Sequence, residues 1–278
     1  MAYTNGFNGD VVSLKYILQT LEAKQILIPG KTCNPNLSVS VGGESAYFYK
    51  RDASSVGVGT IGDKLTYGSS GVTRVDIPLT SAIQIKCVLP HVNFATVSAD
   101  VVADKVIQET LVAANKLNEL ALGKLSASTG AVTGTVALTG ATVYGAIIDA
   151  VKEFKLKNAA KGMKPTAIIV GPSVESYLLK APEFIRSTIA GDNVVGNGVI
   201  GSIAGLMVIE GLDMDETTAK IDFILVNAEA FAAATNINTL YVVDGTAAGY
   251  PGGTIIAGEI GHGELIADND LVLVRKHA

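Results

Sequence analysis

An α+β fold is the class this sequence predicts, and three observations point to it. A long amphipathic helix without Pro, and without Gly before Gly123, runs from Val97 to Lys124. Strand-like segments lie in blocks before and after that helix and not in regular strand–helix–strand alternation, which argues against a doubly wound sheet. Residues 44–94 read as a two-stranded projection, and a lone hairpin is marginal in water unless a surface covers it.

Taken in order, residues 1–10 are polar and rich in Gly and Asn, and predict a loose tip. Val11, Leu14, Ile17, Leu18 and Leu21 then repeat at helical spacing until Pro29-Gly30 stops them. Residues 31–43 are extended by pattern and have no core of their own. AYFYKR at 46–51 is aromatic and strand-like. In RVDIPL, Val75, Ile77 and Leu79 share one face, and Ile83, Ile85 and Cys87 repeat the alternation. Between these strands, residues 54–71 are too polar and glycine-rich to bury much apolar area, and too long for an ordinary turn.

The long helix follows. Thr96 or Ser98 can cap it, and Asp100 and Asp104 suit the positive end of its dipole. At about 1.5 Å per residue it spans roughly 40 Å. Val102, Ala103, Val106, Ala113, Leu117, Leu120 and Ala121 form one apolar face. Val101, Leu111, Val112 and Leu122 fall on or beside the polar arc, so this second apolar set is expected to need cover from outside its own domain. Residues 126–140 predict a short hairpin. Thr142 opens a second helix, with Val143, Ile147, Val151 and Phe154 as its stripe and Lys161-Gly162 as its end. TAIIVG at 166–171 predicts a buried strand, and 173–179 a helical segment stopped at Ala181-Pro182. Glycines alternating with apolar residues over 191–211 predict strands and turns. KIDFILVN predicts another buried strand, and NAEAFAAAT a short helix capped by Asn227. Two long strand regions close the chain, joined by TAAGYPGG.

Composition narrows the function. Hydrophobic residues make up 48% of the 278, charged residues only 17%, and mean hydropathy is +0.38. The uncharged stretch Asn193–Ile209 is too rich in Gly and Asn for a membrane span. No basic region followed by an apolar run opens the chain as a signal peptide would. The surplus apolar surface therefore predicts self-association. A net charge of −5 argues against a dedicated nucleic-acid binder. Cys33 and Cys87 form no CxxC and suggest a reducing compartment.

No motif assembles a catalytic site. Gly57-Val58-Gly59-Thr60-Ile61-Gly62 matches GxGxxG, but a dinucleotide site needs a helix after it, and DKLTYGSSG is poor helix. A nucleotide-dependent enzyme built on this loop is the remote alternative. Pro29-Gly30-Lys31-Thr32 resembles the end of a P-loop, yet position 25, where the first Gly belongs, is Gln25. His262 between Gly261 and Gly263 predicts a strand bend before it predicts a general base. Asp213, Asp215 and Glu216 predict a solvated turn and not a calcium loop. No cofactor, metal or enzymatic activity is expected.

The block ATVYGAIIDAVKEFKLKNAAKGMKPTAIIVGPSVESYLL, followed by GSIAGLMVIEG, FILVNAEAFAAA and DLVLVRK, resembles the major capsid proteins of tailed bacteriophages, whose fold encapsulin shells share. The resemblance runs from about residue 44 to 275, in element order more than in any invariant motif. It implies an N-terminal arm at 1–43 and an extended loop at 44–94 lying across a neighbouring subunit. It implies a peripheral domain at 95–140 and 229–278, with Val97–Lys124 as its spine helix, and an axial domain at 141–228. The function implied is a shell subunit that forms hexamers and pentamers around double-stranded DNA held non-specifically. Scaffold, portal and decoration proteins are the implied partners, with location in the virion capsid after synthesis in the host bacterial cytoplasm. No charged helical prefix is present, so a separate scaffold protein or none is expected. The subunit-contact candidates are Lys64, Tyr67, Val101, Leu111, Val112, Leu122 and Tyr250. Some members join a Lys of the loop to an Asn of a neighbour. Lys64 is suitably placed, but residues 245–253 hold no Asn. An encapsulin-type nanocompartment is the alternative of the same fold.

Overall fold

The computed structural model describes residues 32, 38–39, 45–51, 72–90, 99–134, 137–181, 199–244 and 253–277. Its largest core lies around a mixed six-stranded sheet in the order β5-β12-β9-β6-β8-β7. The central strands β6 (Ala167–Val170) and β9 (Ile221–Val226) are buried at every position, as continuous apolar runs covered on both faces require. They pair antiparallel, Ile169 opposite Ile224, and β6 pairs parallel with β8 (Leu206–Glu210), whose hairpin partner is β7 (Val199–Ile203).

The long helix α1 covers Ala99–Ser126, 28 residues, about two residues later than the sequence reading. Ala114 and Leu117 pack with Ile83 of β4 (Ser81–Pro90), which pairs with β11 (Gly253–Ile266). Ala121, Leu122 and Leu125 enter the large core. Helix α2 (Val143–Lys157) buries Val143, Ile147, Ala150, Val151 and Phe154, the stripe that the 3.6-residue period demands. It ends at Lys157, earlier than expected. The Asn158 amide Nδ2 donates to the carbonyls of Phe154 and Asp270, and a 3-10 turn (Ala159–Lys161) closes on Gly162 at φ 65°. Helix α3 (Pro172–Leu178) starts on a Pro, whose missing N–H costs nothing there.

Further expectations are corrected. Residues 228–234 are not a helix: after a turn in which Ala230 N–H bonds Asn227 O, strand β10 (Phe231–Asp244) begins. Burial of Phe231, Ala232 and Ala234 overrides the helix propensity of the alanines. Residues 131–134 form β5, which pairs in parallel with β12 (Val272–His277) and not within a local hairpin. β12 also pairs with β9, so the closing strand lies in the same sheet as β6–β9 and not with the long ribbon of β10 and β11. His262 sits inside β11 opposite Thr235 and Ser81, two residues from a register shift at Ile237/Thr239 of β10, and its Nδ1 lies 2.9 Å from Glu264 Oε1.

The last correction concerns the projection. Strands β2 (Ser45–Arg51) and β3 (Val72–Pro78) pair from Ser45–Pro78 to Arg51–Val72, with β1 (Ser38–Val39) alongside β2. Their base has a home in its own subunit. Ala46, Phe48 and Ile77 are buried against Ala232 and Ala234 of β10. Burying a side chain such as Phe48 stabilises by about 1.5–3 kcal/mol. Gly263 makes that approach possible, since a Cβ there would lie 2.5 Å from Pro78 O.

Candidate assembly surface

Period-two alternation in β2 turns Ala46 and Phe48 inward and Tyr47 and Tyr49 outward. The two tyrosine rings meet edge to face at 5.9 Å, and the Arg74 guanidinium lies 4.3 Å over the Tyr47 ring. Arg74 also holds Asp76 at 2.7 Å. Its pKa is raised, first by that hydrogen bond. Tyr49 is nevertheless 55% exposed. Tyr and Arg dominate the energetics of protein interfaces, and here they stand pre-ordered on the open face of a narrow sheet. The sequence reading passed over this cluster, although the alternation of SAYFYK carries it.

A second uncovered surface lies on α1. Leu111 is 41% exposed and Val112 59%, side by side, next to the buried Ala113 and Ala114. Singly exposed apolar residues need no explanation, but two adjacent ones on a helix already packed on its other side make a patch. Leu122 does not belong to it. At 2% exposure it is part of its own subunit's core, beside the position of Gly211, because the last turns of α1 sink into the large cluster and bury a wider arc. Val101 lies in α1, with its side chain outside the described residues. Lys64, Tyr67, Tyr250, Gly57–Gly62 and Pro29–Lys31 also lie outside them, while Thr32 is buried.

Charged side chains knit these parts together. Asp268, in the turn before β12, lies 2.8 Å from Lys161 and 3.5 Å from Lys50 of β2. Asp270 lies 3.1 Å from Lys157 and 3.5 Å from Lys161. Asp222 of β9, buried, binds Arg275 at 2.7 Å and His277 at 2.8 Å on β12. These pairs lie far apart in sequence, and nothing in local spacing announces them.

The polar clusters singled out in the sequence are engaged within the fold. His262 is buried and held by Glu264. Glu216 accepts hydrogen bonds from Ser173 N–H and Oγ at the start of α3, and Asp215 accepts from Thr217 and Thr218 N–H, so one carboxylate is engaged by α3 and the other by the turn's own backbone. Among the described residues no group of three or more His, Cys, Asp or Glu is arranged to hold a metal ion. Among them, too, no helix is long and apolar enough to cross a membrane.

No family model matches the sequence, and no curated protein matches it. Solved structures do. One from Mycobacterium phage Ogopogo matches with a TM-score of 0.62 at 13% identity, over 90% of this chain and 92% of that one. The capsid structure of the cyanophage P-SCSP1u matches at 0.60 and 13% identity, over 87% and 85%. The virus-like particle from Pyrococcus furiosus matches at 0.59 and 12% identity, over 96% and 99%. Of these, one is described as a phage capsid and one as a virus-like particle. Over most of its length, this chain has the fold of phage capsid proteins, a fold it shares with that virus-like particle.

Proposed function

We propose that this chain is the major capsid protein of a tailed phage, a shell subunit that assembles through hexamers and pentamers around double-stranded DNA. The observation that carries the reading is the fold correspondence, which spans 85% or more of both chains in each of the three matches described. Physics supports it. Head-to-tail contacts that close form rings, and rings of five and six tile a closed surface. Each contact can be weak where many act together.

In this reading the projection reaches a neighbouring subunit, and the exposed pair Leu111 and Val112 receives a neighbour's arm or loop. Val101, Lys64, Tyr67 and Tyr250 are the other proposed contacts. Residues 1–43 are the arm, 44–94 the extended loop, 95–140 with most of 229–278 the peripheral domain, and 141–228 the axial domain. β12, with its partner β5, joins the axial sheet. An acidic wall of net charge −5 per subunit confines DNA without gripping it. Scaffold, portal and decoration proteins complete the particle, made in the bacterial cytoplasm.

Negative-stain microscopy of the purified chain tests this, with closed particles or rings expected. A monodisperse monomer at every concentration and salt condition tried would overturn it. The second reading is a nanocompartment of the encapsulin type. It is favoured by the match to the Pyrococcus virus-like particle, which spans 96% of this chain. Nuclease-protected DNA inside native particles supports the phage reading, and an enclosed enzyme supports the compartment.

A further inference from the structure

The base of the projection is held in two chemically different ways. One contact is apolar: Ala46, Phe48 and Ile77 against Ala232 and Ala234, with Pro78 closing on Gly263. The other is ionic and lies further along the same face of β2. Lys50 Nζ reaches Asp268 Oδ2 at 3.5 Å and the Ala267 carbonyl at 3.4 Å. Asp268 is itself fixed. It accepts from Lys161 Nζ at 2.8 Å and from Asp270 N–H at 3.0 Å, and Asp270 is in turn held by Lys157 and Lys161. Three elements meet at this point: β2 of the projection, the end of α2 with its 3-10 turn, and the turn that leads into β12.

We propose that this cluster is a latch that sets the angle of the projection against α2 and the six-stranded sheet, with the apolar contact as its pivot. The inference rests on the projection being a subunit contact only for its consequence in a shell; the latch itself belongs to one subunit. An apolar pivot is non-directional, so it tolerates a few degrees of rotation. A lysine reaching a carboxylate across the joint does not. Lys50 is partly exposed, so its pair with Asp268 is worth little in stability. A weak directional contact beside a strong non-directional one can change the angle without unfolding the base.

The groups facing Asp268 are Lys50, Lys161 and Asp270, with Lys157 behind Asp270. Burial raises the Asp268 carboxyl, but the Lys161 hydrogen bond, the Asp270 N–H and the two lysine charges outweigh it and hold it below the usual carboxylate range. Asp270 is likewise lowered, first by the Lys157 hydrogen bond. Both contributions are therefore present at neutral pH and lost as pH falls through these lowered values.

The test places spin labels at Tyr49→Cys on β2 and Lys152→Cys on α2, in a chain carrying Cys33→Ser and Cys87→Ser. Labelled chain is diluted into excess unlabelled chain, so that only distances within one subunit are read. The parent should give one narrow distance distribution at pH 7. Lys50→Met keeps the side-chain stem and removes the charge. Asp268→Asn keeps an acceptor for the Asp270 N–H and removes the ion pairs. Each should broaden or shift the distribution by several ångströms while circular dichroism and Tm stay near the parent. Unchanged distributions in both variants overturn the latch. Particle formation scored on the same samples separates the two ideas. Broadened distances with normal closed shells keep the latch and count against the projection as the subunit clamp.

Discussion

Gly263 and Glu175 show how single positions carry conflicting demands. At Gly263 the β11 backbone approaches the carbonyl of Pro78 so closely that a methyl group would sit 2.5 Å from backbone oxygen. The obstacle is backbone, not a flexible side chain, so Gly263→Ala should cost about 1–3 kcal/mol in urea unfolding and displace the projection base. Glu175 of α3 presents the opposite problem. Its carboxyl is raised above the ordinary range, first by burial and then by the charge and hydrogen bond of Glu210. A raised carboxyl opposes folding above its ordinary pKa, and the opposition fades as pH falls through the folded value. Glu175→Gln should therefore raise Tm by about 2 °C at pH 7 and leave it unchanged near pH 4. A stabilisation equal at both pH values would mean that charge is not the cause.

At the level of elements, the sequence reading succeeded where one period governs a whole stretch. The α2 stripe, the buried runs of β6 and β9, and the alternation of β3 and β4 were all legible because each follows from local spacing. It failed where a distant partner decided. Residues 228–234 look helical by composition, and become a strand because β11 pairs with them, Phe231 opposite Ile266. Residues 131–134 look like half of a hairpin, and are claimed by β12 from the other end of the chain. The spine helix divides the same way: Leu111 and Val112 stay exposed while Leu122, on the same polar arc by count, is engulfed near the helix end. Of the surface features, the Tyr47–Tyr49 face could have been read from alternation, whereas the Lys50–Asp268 pair could not. The exposed pair on α1 makes a direct prediction. Leu111→Asp with Val112→Asp should leave subunit stability within about 0.5 kcal/mol yet remove large particles from sedimentation profiles. Particles of undiminished yield would mean that this face of α1 touches no neighbour.

For the whole molecule, the pairing of Arg51 with Val72 matters most. The strand ends that bracket residues 52–71 already lie side by side, so a short turn can join them. Deleting Ser54–Gly71 should therefore give a folded subunit, judged by an unchanged cooperative thermal transition, that no longer closes particles. Complete shells from this variant would show that the outer part of the projection is dispensable to assembly. Loss of folding would instead mean that the base depends on its tip, contrary to the buried contacts of Phe48 and Ile77.

The central sheet also has an order of construction. β12 lies between β5 and β9, so β5 has no ladder and one edge of the buried β9 has none until residues 272–277 have been made. While translation is under way, that edge is open and adhesive. A ribosome stalled shortly before this point holds a polypeptide that is sticky yet unfinished, and the arrival of β12 is what seals the sheet.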